Sequence, residues 1–181
     1  MTILSAQTIR KLRLIDPIVE RQQHESGCSY GLSACGYDVR LDQDITITPG
    51  CFVLASTMEK FHMPYDVVGK VHDKSTWARR GLAVQNTVIE PGWSGYLTME
   101  ISCNIFGHRL FAEKWDLPYG KVVEGGKSVY YDNQQIVLKA GTPIAQILFQ
   151  FLDEATEKPY NGKYQNQERG VVPAKSGIGY E

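Results

Sequence analysis

An all-β sandwich or barrel is the fold class this sequence predicts, and two observations predict it. Short strand-like segments recur at close spacing: Ile45–Ile47, Cys51–Ala55, Val67–His72, Leu82–Gln85, Gly95–Cys103, Gln135–Lys139 and Ile144–Leu152. Turn formers stand between them, at Pro49-Gly50, Pro64, Pro91-Gly92 and Ala140-Gly141. The chain of 181 residues is long enough for a single domain with a proper core.

Taken in order, Ser5–Leu14 reads as the one substantial helix. Ser5 can cap it, and Ile9 and Leu12 form an apolar stripe against Arg10, Lys11 and Arg13. Asp16-Pro17 stops it. Residues 18–35 are polar, rich in Gly and Ser, and without period, so they read as loop. Gly36–Leu41 alternates and reads as a strand with Asp38 and Arg40 on one face. Asp73 is a good N-cap and Gly81 a good stop for a short helical turn over Lys74–Arg80. On that turn Ser75 and Arg79 share a face, and Lys74 with the first amides offers a phosphate a positive end. Pro91-Gly92-Trp93-Ser94-Gly95 is turn chemistry. In the strand after it Tyr96, Thr98, Glu100 and Ser102 alternate with Leu97, Met99, Ile101 and Cys103. Residues 105–134 break the strand rhythm and read as an insertion, with Lys127–Tyr131 a further strand candidate. The tail 157–181 is polar and carries Tyr160, Lys163, Tyr164, Asn166 and Gln167 close together. Folding over an anionic ligand and fraying at the terminus are both open to it.

Composition narrows the function classes. Apolar content of 43% and charged content of 22% are those of a soluble globular protein. A net charge of −1 gives no long-range field for nucleic acid or an anionic membrane, so any phosphate binding must be local. No apolar run reaches membrane-spanning length and the N-terminus does not read as a signal peptide, which makes the cytoplasm the expected location. Cys28, Cys35, Cys51 and Cys103 form no C-x-x-C pair and no zinc-like spacing with His24, His62, His72 or His108. They read as reduced thiols, mostly packed in the core.

The motif for zinc-dependent deamination, H-x-E with P-C-x-x-C, is missing. So are H-E-x-x-H, G-x-S-x-G and the phosphate-binding G-x-x-x-x-G-K-[ST]. Glu90 and Glu100 form a carboxylate pair by count alone. Glu100, in the middle of a good strand, has two readings: a residue on a solvated sheet face, or a general base for water with Ser75 and Arg79 orienting that water.

Four stretches carry a family resemblance: DKSTWARRGLAV, VIEPGWSGYLTMEI, KAGTPIAQILF and PYNGKYQNQ. With GYDVRL and FHMPYDVVGKVHDKS in the same order, the chain resembles the deoxycytidine triphosphate deaminases of the deoxyuridine triphosphatase fold superfamily. The resemblance implies a distorted β-barrel or jelly-roll-like dUTPase-type fold, in a homotrimer with sites at subunit interfaces. It implies hydrolysis of the C4 amino group of dCTP to give dUTP and ammonia without zinc, with Mg²⁺ accompanying the triphosphate. By position, Glu100 matches the glutamate that activates water, and Ser75 and Arg79 match residues beside that water. Lys74, Ser75, Thr76, Trp77, Ala78 and Arg79 match the nucleotide-binding segment. Thr98 and Met99 match backbone contacts to the base, and Tyr160, Lys163 and Gln167 match tail residues that hold sugar and phosphates. Inhibition by dTTP is a further family trait.

Three departures stand out. Lys74 replaces an Arg of some members, keeping charge but losing the fork. Glu90 stands at the substrate-contacting position where an Asp is common, after a shortened QNTV loop, which bears on whether dUTP is cleaved further. The segment 105–134 is longer than the usual connection. Beside the deaminase reading stand a bifunctional deaminase–diphosphatase releasing dUMP, a plain dUTP diphosphatase, and a nucleotide-binding regulator that kept the fold without turnover.

Overall fold

The computed structural model describes residues 2–104 and 135–175. The insertion 105–134, its strand candidate Lys127–Tyr131 and the end of the tail lie outside the described residues. Helix α1 (Ala6–Leu12) opens the chain. Ser5 occupies its N-cap position, but the Ser5 hydroxyl meets the Thr8 hydroxyl at 3.2 Å rather than a helix amide. The helix ends earlier than its sequence suggests because Arg13 turns left-handed, with φ of 53°. Ile9 is fully buried while Leu12 stays exposed.

The strands are β1 (Ile15–Asp16), β2 (Gln22–Gln23), β3 (Ser29–Ser33), β4 (Gly36–Arg40), β5 (Ile45–Ile47), β6 (Phe52–His62) and β7 (Val67–Asp73). After helix α2 (Ser75–Ala78) come β8 (Leu82–Val84), β9 (Val88–Ile89), β10 (Ser94–Cys103), β11 (Ile136–Leu138) and β12 (Pro143–Phe151). Every pairing between these strands is antiparallel. One sheet runs β1-β6-β10-β8, a second β2-β3-β4-β12-β7-β9, and β11 pairs with β5. Phe61 of the first sheet packs on Phe149 of the second and on Trp93, with ring centroids 6.5 and 6.3 Å apart. All three rings are buried, so this contact welds the two sheets.

Three readings of the sequence need correction. Residues 18–35 are not all loop: β2 and β3 lie within them. The strand expected at Cys51–Ala55 continues to His62. Its polar residues Ser56, Thr57 and Glu59 are fully buried, because Thr57 Oγ1 donates to the Glu59 carbonyl at 2.8 Å and Glu59 pairs with Arg40 of β4 at 2.8 Å. The cysteines are free, but only Cys28 and Cys103 are buried; Cys35 and Cys51 are exposed.

Candidate active site

The site is built on β10. Opposite Leu97 its pairing with β6 shifts register, from Tyr96↔Lys60 to Thr98↔Ser56. The Thr57 hydroxyl fills the gap by accepting the Leu97 amide at 3.0 Å. Such an irregularity re-aims neighbouring residues. Leu97 and Thr98, consecutive in the chain, therefore both contribute to the wall of one cavity, together with Glu100. Beyond the irregularity the alternation is strict: Met99, Ile101 and Cys103 are buried in the core.

The cavity has a volume of about 400 Å³, within the range of small-ligand sites. Phe52, Leu54, Val88, Ile89 and Trp93 give it an apolar wall, with Thr87 and Glu90 on the same side. Glu100 Oε2 is buried and has no hydrogen-bond partner among the described residues. Desolvation pushes the Glu100 carboxyl above the usual 4.5, opposed by a backbone hydrogen bond. A buried carboxylate oxygen without a donor is costly, and perturbed carboxylates of this kind collect where proton transfer is done.

The tail supplies the remaining wall: Tyr160, Tyr164, Gln167, Val172 and Ala174. It is fastened to the turn before β10. Tyr160 donates its amide to the Pro91 carbonyl at 2.8 Å, the Trp93 indole donates to the Tyr164 carbonyl at 2.7 Å, and Tyr96 donates its amide to the Gln167 carbonyl at 2.9 Å. The Gln167 side-chain amide donates to the Tyr96 carbonyl at 2.8 Å and to Thr98 Oγ1 at 2.7 Å. This approach needs Gly95: its φ is +151°, and a Cβ there would lie 2.8 Å from the Gln167 nitrogen. The described tail is thus a structural wall, not a frayed end.

Of the residues singled out in the sequence, Glu90, Thr98, Glu100, Tyr160 and Gln167 line this cavity. The segment Lys74–Arg79 and Lys163 do not, and Met99 is present only through its neighbours, its side chain being core. Helix α2 starts one residue later than expected. Asp73 does not cap it; its carboxylate accepts the Val84 amide at 2.7 Å. Ser75 and Arg79 do stack as one turn, with the Arg79 amide donating to the Ser75 carbonyl at 3.0 Å, and both are exposed. Lys74 Nζ lies 2.8 Å from Asp38 Oδ2, with the two side chains 10% and 6% exposed, and the Trp77 indole donates to the Pro143 carbonyl. These two contacts pin α2 to β4 and β12. Tyr164 lines the cavity from the tail cluster noted in the sequence; Phe52, Leu54, Trp93 and Val172 escaped the sequence reading, because only the paired register and the folded tail bring them together. Among the described residues, no group of three or more His, Cys, Asp or Glu stands where it could hold a metal ion, and no helix is long and apolar enough to cross a membrane.

Fold and cavity together define a β-barrel protein of the dUTPase type. The structure matches a dCTP deaminase from Agrobacterium tumefaciens over 82% of this chain and 48% of that one, with a TM-score of 0.56 at 16% identity. It also matches a mutant dUTPase from phage phi11 of S. aureus, over 81% and 92%, with a TM-score of 0.52 at 13% identity. A family model described as dCTP deaminase-like matches residues 33–110. The dCTP deaminase of Acidobacterium capsulatum is 32% identical over 96% of this chain and 99% of its own length. That of Pseudomonas paraeruginosa is 32% identical over 97% and 100%. The chain belongs to the dCTP deaminase family.

Proposed function

We propose that this protein hydrolyses dCTP to dUTP and ammonia, with Glu100 as the general base. The observation that carries the reading is the half-buried Glu100 carboxylate on the wall of a ligand-sized cavity, with one oxygen, Oε2, buried and without a donor among the described residues, in a chain of this family. Glu100 takes a proton from water as its oxygen attacks C4 of the cytosine. It then delivers protons toward N3 and the departing amine, the C4–N bond breaks, and ammonia leaves. Its raised proton affinity suits both halves of that transfer.

Ser75 and Arg79 orient the attacking water in this reading. Being exposed and outside the cavity of their own chain, they reach the site of a neighbouring chain in a homotrimer, so that each site joins two chains. Thr98 and Met99 offer backbone to the base, and Tyr160 and Gln167 close over the sugar. Mg²⁺ arrives on the triphosphate as part of the substrate: among the described residues Glu90 and Glu100 are the only carboxylates on the cavity wall, too few for a metal site made of protein alone. dTTP, with the same sugar and triphosphate, competes for the pocket.

One observation favours a second reading. Glu90 lines the same cavity as Glu100, at the position where diphosphatases of this superfamily carry an aspartate, so dUTP cleavage to dUMP is the runner-up. Incubation with dCTP and Mg²⁺, followed by assay of ammonia, pyrophosphate and nucleotide, separates the readings. Ammonia and dUTP without pyrophosphate support the deaminase; dUMP with pyrophosphate makes it bifunctional. Binding of dCTP with no ammonia released overturns the proposal in favour of a regulator.

A further inference from the structure

At the rim of the cavity two lysines of the tail are held together. Lys163 Nζ donates to the Lys175 carbonyl at 2.7 Å, and Lys175 Nζ donates back to the Lys163 carbonyl at 3.0 Å. The Lys175 amide donates to the Tyr164 hydroxyl at 2.9 Å. Both ammonium groups lie over the Tyr164 ring, 5.2 and 5.7 Å from its centroid. Tyr164 and Ala174, their immediate neighbours in sequence, line the cavity.

The arrangement gathers two like charges on one aromatic face. The ring's quadrupole offsets part of their repulsion, but neither lysine forms a salt bridge with a carboxylate of the described residues. Arg169, also in the tail, is by contrast neutralised by Asp42. An ammonium carries three donors, and each of these two spends one on a carbonyl, leaving the others for a ligand. In a chain of net charge −1 such a pair, without a carboxylate partner among the described residues, is the local positive site that an anion of two or more charges would occupy.

We propose that Lys175 adds a second ammonium beside Lys163, which the family resemblance already places at the phosphates, and that Lys175 thereby makes the site discriminate a nucleoside triphosphate from a monophosphate. The proposal rests on reading the cavity as a nucleotide site. Lys163 was recognisable in the sequence beside Tyr160 and Gln167; Lys175 was not, since only the folded tail returns it to Lys163 across twelve residues.

Lys175→Met removes the charge and keeps the length; Lys175→Arg keeps the charge. Dissociation constants for dCTP, dCMP and inorganic tripolyphosphate are measured by calorimetry, with KM and kcat for dCTP alongside. A lost charge-assisted contact predicts that Lys175→Met binds dCTP and tripolyphosphate about 10-fold or more weakly. Binding of dCMP should change less than about 2-fold, kcat should hold, and Lys175→Arg should restore most of the affinity. Equal weakening of dCTP and dCMP would make Lys175 a packing residue of the wall and overturn the proposal, as would unchanged binding of dCTP or a parent protein that ignores tripolyphosphate. A parent that binds tripolyphosphate, loses it in Lys175→Met and yet releases no ammonia from dCTP would sink the deaminase reading and leave this role of Lys175 standing.

Discussion

Replacing Lys74 by Met should destabilise the protein through Asp38. The pair spans 2.8 Å with both side chains almost wholly out of solvent. At an effective dielectric of about 20 the attraction is about 6 kcal/mol, much of it offset by desolvation of the two ions. Removing only the lysine keeps the desolvated carboxylate and loses its partner, a situation that costs about 3–5 kcal/mol. Among the described residues Asp38 keeps one side-chain donor, the Ser29 hydroxyl at 3.3 Å, which sets the expectation toward the lower end. For a chain of this size that is a fall in Tm of about 6–20 °C, read by circular dichroism at one fixed protein concentration. Lys74→Met with Asp38→Asn removes both charges and should recover a large part of the loss. A Tm within about 2 °C of the parent for the single variant would refute the reasoning. So would a double variant no better than the single one, since the penalty is assigned to the unpaired carboxylate.

Gly95→Ala should push the tail from β10, because its Cβ would meet the Gln167 backbone at 2.8–2.9 Å; limited proteolysis should cut the tail faster and KM for dCTP should rise, and an unchanged KM would deny the tail a part in binding. In the pH profile of kcat/KM, the base must be unprotonated and burial raises its proton affinity. Activity should therefore fall with decreasing pH on a limb lying above the ordinary glutamate value of 4.5; a limb at or below that value would contradict the assignment. Mixing inactive Arg79→Ala chains with inactive Glu100→Gln chains should restore part of the activity if each site draws these residues from two chains. Mixtures shown to have exchanged subunits that stay inactive would rule out the shared site.

The strand carrying Glu100 was legible because the apolar partners Met99, Ile101 and Cys103 alternate with period 2, and each is buried. The β5 strand was read to the residue for the same reason. The second half of β6 was not: Ser56-Thr57-Met58-Glu59 looks like a loop, and only Arg40, nineteen positions away, makes burial of Glu59 tolerable. Residues 18–35 hid β3 because Gly31 and the serines around it carry no hydrophobic pattern, and because the two-residue turn Ala34-Cys35 that folds β3 back on β4, pairing Gly31 with Asp38 and Leu32 with Tyr37, has none of the Gly or Asn residues that mark a hairpin. The cavity itself was half legible. Its polar residues stood in motifs, but its apolar wall joins β6, the turn before β10 and the tail, and a local pattern holds no information on that meeting. Lys74 looked like a ready phosphate ligand, yet its ammonium is turned to Asp38, a partner 36 positions earlier.

The central claim is that Glu100 is the base that activates water in this cavity. It is tested most directly by ammonia release from saturating dCTP with the parent protein and with Glu100→Gln, dCTP binding being measured on the same samples. The substitution keeps the shape of the side chain and removes its capacity to take a proton. The expected result is dCTP binding within a few-fold of the parent and turnover lower by about 10²–10⁴ or more. Ammonia released by Glu100→Gln at the parent rate would contradict the account.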